Sequence, residues 1–312
     1  MGLGIGFHFK FWVNFLILIL TLSITPLLAS ADSSNPNLFK LLSLNIQQFT
    51  PGIGSTNNCE RAKRLVKIIN ERTDEYDVIA FQELWSNRTR RAIQKEIQKN
   101  YPYHFKDQHY GAYLLGYHSG LSIYSKFPIK RKIQHTFTAY RGPEDFSKKG
   151  VMGVELDVNG KPVYLFTTHL QAGDGGCFFR CIDPTRPTTD EIASLQVRAI
   201  RKTMDHFIDT GTARNVPIFL IGDFNIRADD PVAFSDLLAA LQDGQDTFNA
   251  KASSYQGSVW GKETSERIDY IFNLGMQVKG DSTVIGTFGE DVTDHLAVKG
   301  VFDLSDFHSL RQ

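Results

Sequence analysis

Eight residues, all of types that bind hard cations or move protons, stand out in this chain: Asn45, Glu83, His169, Asp223, Asn225, Asp269, Asp294 and His295. Carboxylate and amide oxygens suit a hard divalent ion, and an imidazole titrates near neutral pH. What makes them a set is that each stands at or just beside an apolar run. The central example is Asn215–Ala228, NVPIFLIGDFNIRA. Pro217–Ile221 has the composition of a strand buried on both faces. Gly222 stops it, and Asp223 and Asn225 follow two residues apart, a spacing that lets both side chains face one side. In α/β sheets, ligands bind outside the carboxyl ends of the strands. Any one of these residues alone reads as a turn former or a cap; their recurrence points to a site.

The elements that must position them follow in order. Strands are expected over residues 37–46, 76–81, 121–124 and 129–136, with 47–58 a Pro/Gly/Asn-rich loop. Asn159-Gly160 is a hairpin turn between strands 151–158 and 162–168. Two more strands, 267–272 and 296–302, carry Asp269 and follow Asp294-His295. Helices are expected over 60–71, with Ala62, Leu65, Val66 and Ile69 on one face, over 86–99 with Ile93 and Ile97 inward, and over 231–241. Thr188 with Glu191 forms a capping box. The helix behind it puts Ile192, Leu195, Ala199, Ile200, Met204, Phe207 and Ile208 at helical spacing as far as Gly211. With no repeat and no internal linker, two packed sheets in one α/β domain are expected.

Lys+Arg and Asp+Glu are both 34, so no basic excess points to nucleic acid as the main partner. Phe11–Leu28 is apolar and is followed by Ala29-Ser30-Ala31. That pattern predicts a signal peptide over 1–31, cleaved after Ala31, in preference to an uncleaved anchor. The remaining domain would then be 32–312, exported to where disulfides persist. Cys59, Cys177 and Cys181 allow one bridge and one free thiol, with the pairing open. Asn87-Arg88-Thr89 is a glycosylation sequon.

Taken in order, LSLNI, FQEL, SGLSIYSKFPI, TTHLQA, GDFN, RIDYIF and TDHLAV resemble the endonuclease/exonuclease/phosphatase superfamily, which includes deoxyribonuclease I and neutral sphingomyelinases. The resemblance runs from about Leu38 to Phe302. It implies a four-layer α/β sandwich, two mostly antiparallel sheets face to face with helices outside. It also implies a phosphodiesterase, which needs an activated water, a base, and positive charge for the phosphoryl oxygens and leaving alkoxide. On the matching positions, Glu83 carries Mg²⁺, with Asn45 and Asp294 in support; Mn²⁺ or Co²⁺ are compatible substitutes. His295 is then the base, Asp269 orients it, Asp223 positions the nucleophile, and Asn225 and His169 donate to the phosphoryl oxygens. The usual Ser before Asp-His is Thr293 here, which keeps the hydroxyl.

Gln171-Ala172 after His169, a Gly/Cys-rich loop and the Gln-containing helix beyond it resemble secreted neutral sphingomyelinases most. The expected partner is a phospholipid, sphingomyelin above all, met by a monomer at a membrane surface. A nuclease is disfavoured by the neutral charge. A 5-phosphatase would carry a Trp-x-Asp-Arg-type signature where Glu266-Arg267-Ile268-Asp269 stands. A non-catalytic binding module fits poorly with the retention of every catalytic position. Cys177-Phe178-Phe179-Arg180-Cys181 is a candidate interface loop, its rings suited to burial and its arginine to phosphate.

Overall fold

Side-chain alternation divides the first strand between two cores. In β1 (Leu38–Asn45), Phe39 and Leu41 enter the core between the sheets, while Leu42 and Leu44 face a second core. That second core is closed by α1 (Asn58–Glu71) and α2 (Asn87–Ile97). β2 (Val78–Gln82) repeats the division: Val78 and Ala80 lie between the sheets, Ile79 and Phe81 under the helices. Asn45 and Gln82 continue the inward-facing rows, so polar groups end rows of apolar ones.

This is a computed structural model, which describes residues 35–49, 57–107, 118–141, 144, 147–173, 187–208, 215–241, 244–247, 253–259, 262–286, 288 and 292–307. The strands that follow are β3 (Tyr103–Lys106), β4 (Ser122–Ser125), β5 (Ile129–Thr136), β6 (Gly150–Val158) and β7 (Lys161–His169). Next come α3 (Thr189–Phe207), β8 (Pro217–Asp223) and α4 (Pro231–Leu241). The chain ends through β9 (Gln245–Asp246), β10 (Tyr255–Val259), β11 (Lys262–Glu266), β12 (Asp269–Gly275), β13 (Lys279–Val284) and β14 (Val298–Asp303). One six-stranded sheet has the order β13-β14-β1-β2-β4-β3, the other β5-β6-β7-β8-β12-β9, and β10-β11 is a separate hairpin. Within each large sheet one pair is parallel, β1 with β2 and β7 with β8; the other pairs are antiparallel. The sheets meet through aromatic rings, Phe219 lying 5.7 Å from Phe39 and 4.5 Å from Phe302.

The expected sandwich of two sheets is what the chain forms, with several boundary changes. β8 runs two residues past Ile221, because the ladders on both sides continue: Asp223 is in register with His169 of β7 and with Asp269 of β12. The Thr188–Glu191 capping box is present, but α3 ends at Phe207, before Gly211. Leu195 is 44% exposed and does not belong to the buried face. Cys59 is an unbridged thiol on α1. The expected signal segment 1–31 and the Cys177–Cys181 loop lie outside the described residues. Among the described residues, no helix is long and apolar enough to cross a membrane.

Gly222 has φ 141°, and a Cβ built there would stand 2.1 Å from the backbone oxygen of Thr168. β7 and β8 approach this closely only because the position lacks a side chain. Gly222→Ala is expected to destabilise the fold by more than the ~1–3 kcal/mol of a strained φ/ψ alone. The check is the urea midpoint, with an unchanged midpoint contradicting the expectation.

Candidate active site

The site forms where the inward rows of both sheets turn polar. Gln82 donates to Ser43 Oγ (3.2 Å) and Thr167 Oγ1 (3.0 Å), a buried polar layer between the aromatic core and the site. Beyond it, the register of β7, β8 and β12 sets His169, Asp223 and Asp269 side by side on one sheet. From the facing sheet, β1 supplies Asn45, the turn after β2 supplies Glu83, and the segment before β14 supplies Asp294 and His295. Glu83 and Asn225 leave their strands with φ of 55° and 50°, backbone that a side chain adopts at a cost.

Asp223 is the hub. Its Oδ2 accepts from Asn45 Nδ2 at 2.9 Å and stands 3.5 Å from His169 Nε2 and 3.7 Å from His295 Nε2. Its Oδ1 accepts from the Asn225 backbone N–H at 2.9 Å. His295 Nδ1 pairs with Asp269 Oδ2 at 2.8 Å, which leaves Nε2 to face the space beside Asp223. His169 Nε2 also lies 3.7 Å from Glu83 Oε1. The Asn225 amide donates to the Leu170 carbonyl (3.1 Å). Asp294 sits one residue behind, accepting from Gln47 Nε2 (2.9 Å), whose backbone N–H donates to Asn45 Oδ1 (3.1 Å). Thr293 Oγ1 donates to the Asn45 carbonyl at 2.8 Å and accepts from the His295 N–H at 3.2 Å, so the retained hydroxyl ties the two sheet ends together.

The two imidazoles have opposite electrostatics. Burial, then the cations Lys149 and His295, hold His169 well below the usual imidazole range, so it is neutral. Burial also opposes charge on His295, but the charge and hydrogen bond of Asp269, with Asp223 and Asp294, outweigh it and push it up to about 10. Burial raises Glu83 to about 7 against the pull of Lys149, Asn45 and His295, with Asp223 adding repulsion. Burial and then Asp269 raise Asp223 to about 6. Such shifts mark carboxylates crowded beyond what the nearby cations offset. Among the described residues, two groupings bring ligand atoms within 4.8 Å of one another, Glu83-His169-Asp223 and Asp223-Asp269-His295. Asp294 belongs to neither.

A model of the endonuclease/exonuclease/phosphatase family matches residues 42–295. The chain belongs to that family. Among relatives of this family member, a phospholipase C from Staphylococcus aureus is 27% identical over 219 residues, covering 63% of this chain and 62% of that protein. The match therefore spans less than two thirds of that relative's length. A sphingomyelinase C from Bacillus cereus is 24% identical over 262 residues, covering 78% of this chain and 74% of that protein. A crystal structure of a Staphylococcus aureus beta toxin variant with bound magnesium ions superimposes with a TM-score of 0.66 at 22% identity, covering 85% of this chain and 99% of that one. That likeness establishes the fold.

Family membership and residue pattern did not reveal every polar residue that serves the site. Lys149 is 6% exposed, donates to Glu144 Oε1 (2.7 Å) and the Leu170 carbonyl (2.8 Å), and acts on Glu83, His169 and Asp223. Lysine is rarely buried, and nothing in its local sequence marks it. Arg61 is 7% exposed and donates to the carbonyls of Ile46, Gln47 and Val292, tying the strand end to the segment that carries Asp294. Here a signal existed: Arg61 precedes Leu65 by four residues and so lies on the buried face of α1.

Proposed function

We propose that this chain is a Mg²⁺-dependent phosphoric diester hydrolase that cleaves sphingomyelin into ceramide and phosphocholine. The observation that carries the reading is Asp223, shared between two imidazoles at 3.5 and 3.7 Å, of which that of His295 is oriented by Asp269. Similarity to a sphingomyelinase C and a phospholipase C supports the substrate class.

The buried, crowded oxygen set fits a hard divalent ion, which would offset the burial and, after it, the repulsion that raise Glu83 and Asp223. Glu83, with Asn45 and Asp294, would hold it, and its charge would stabilise the phosphoryl oxygens and leaving alkoxide. Asp223 orients a water beside His295 Nε2. As the water oxygen bonds to phosphorus and the bond to the ceramide oxygen breaks, Nε2 of the unprotonated imidazole takes the water's proton, and the ceramide alkoxide takes a proton from solvent. Asp269 stabilises the resulting imidazolium and fixes its orientation. His169, neutral, and the second N–H of the Asn225 amide donate to the phosphoryl oxygens. Residues 32–312 act as one exported catalytic domain, a monomer that works at a membrane surface after removal of 1–31.

The test is a parallel assay on sphingomyelin, phosphatidylcholine, plasmid DNA and an inositol polyphosphate, with Mg²⁺ and with EDTA. Preferred hydrolysis of sphingomyelin, abolished by EDTA, is expected; faster cleavage of DNA would reassign the substrate. Glu83→Gln is expected to weaken apparent Mg²⁺ affinity by at least the ~10–100-fold typical of residues that merely support a ligand. Part of its activity should return at high Mg²⁺. A Mg²⁺ titration curve like that of the wild type would remove Glu83 from the metal site.

A further inference from the structure

The Asp269–His295 pair is held by a segment outside both large sheets. Ser254 is fully buried, and its Oγ accepts from two consecutive backbone N–H groups, Ile268 at 3.0 Å and Asp269 at 2.9 Å. Its carbonyl accepts from the Leu296 N–H at 2.6 Å, and Gln256, two residues on, donates its N–H to the Asp294 carbonyl at 2.9 Å. Between them Tyr255 forms an isolated antiparallel bridge with His295. One three-residue segment thus grips the backbone of Asp269 and, independently, the backbone on both sides of His295.

Tyr255 adds a side-chain contact. Its ring centroid lies 5.0 Å from that of His295, with 59° between the planes. Asp269 fixes the edge of the imidazole through Nδ1, but a single hydrogen bond leaves the ring free to tilt about that axis. A ring packed beside it at this inclination restricts that tilt. The hydroxyl is not what does this, since the contact is between the rings.

We propose that Tyr255 is a positioning residue for His295: its ring sets the tilt that aims Nε2 at the water beside Asp223, and the Ser254–Gln256 segment keeps the hairpin β10-β11 in register with the pair. This rests on the reading of His295 as the base. Misplacing a reacting group by about 1 Å can cost ~10²-fold in rate, so the expected effect falls on kcat.

The experiment is a double-mutant cycle on the full chain with sphingomyelin and Mg²⁺, comparing wild type, Tyr255→Leu, Tyr255→Phe, His295→Ala, and His295→Ala combined with Tyr255→Leu. Tyr255→Leu is expected to lower kcat by ~10–100-fold with KM nearly unchanged. Tyr255→Phe, which keeps the ring, should recover most of that loss. In the His295→Ala background Tyr255→Leu should change the residual rate by less than about twofold, since a residue acting through His295 has nothing left to position. Wild-type kcat in Tyr255→Leu overturns the proposal, as does an equal loss in both backgrounds, which would mark Tyr255 as a general support of the fold. Near-normal turnover in His295→Ala alone would instead overturn the assignment of the base, and with it the proposal. Thermal melts of each variant separate a kcat effect from unfolding, and a Tyr255→Leu loss that tracks melting while Tyr255→Phe gives no recovery also overturns it.

Discussion

His295→Ala is expected to abolish nearly all sphingomyelin hydrolysis, a loss in kcat at or beyond the upper end of the ~10²–10⁴ range for a missing general base. Two roles are lost together. The Nε2 that faces Asp223 at 3.7 Å is the proposed proton acceptor, and the ring also packs between Asp269 and Tyr255. Mg²⁺ affinity, read by calorimetry, should stay near the wild-type value, because the proposed ligands Glu83, Asn45 and Asp294 remain. The His295 side chain is nearly buried, so some loss of stability is expected as well, and the rate must be taken on material shown to be folded. Near-normal turnover would remove His295 from the mechanism.

Asp269→Asn is expected to cost ~10²–10⁴ in kcat, since an amide cannot stabilise the imidazolium and allows the wrong tautomer. Its distinguishing mark is the pH profile. Burial alone would lower the His295 pKa; the Asp269 charge and hydrogen bond do most to raise it, to about 10. A base works only when unprotonated, so activity falls as pH drops through this pKa. Removing Asp269's charge lowers the pKa, and the acid limb of kcat should therefore move to lower pH. A divalent cation among the same carboxylates acts in the same direction, so the wild-type limb should also move down as Mg²⁺ is raised through its binding range. An acid limb that stays in place in Asp269→Asn would leave Asp269 as a strand residue with a structural hydrogen bond.

The site was legible because it obeys one local rule: a buried strand announces itself by an apolar run, and the polar residue that ends the run is where the fold exposes chemistry. Asp223 after Pro217–Ile221 and His169 after the β7 run are clear instances. The same rule left other parts unread. β3, β10, β11 and β13 are short or mainly polar, so neither alternation nor length marks them. Lys149, Ser254 and Tyr255 reach the site through tertiary pairing, and no spacing rule connects Ser254 to Leu296 or Lys149 to Leu170. Leu195 shows the converse: a leucine at helical spacing that faces outward, because the stripe of α3 that meets β5 and β6 does not include it.

The pairing of β1 with β14 governs when in the life of a chain this site can exist. Asn45, near the start, is tied to Thr293 through the Thr293 hydroxyl, and β1 and β14 are in register from Leu38 with Asp303 to Ser43 with Val298. A ribosome builds the chain from the other end of that pairing, so every nascent product short of about residue 303 lacks the strand that docks Asp294 and His295 beside Asp223. Contacts this distant in sequence close late, after the local elements have formed. On the proposed function, the chain therefore stays inert toward membrane lipid until that strand has been made. The closing strand acts as a safety catch that is released only once translation has passed about residue 303.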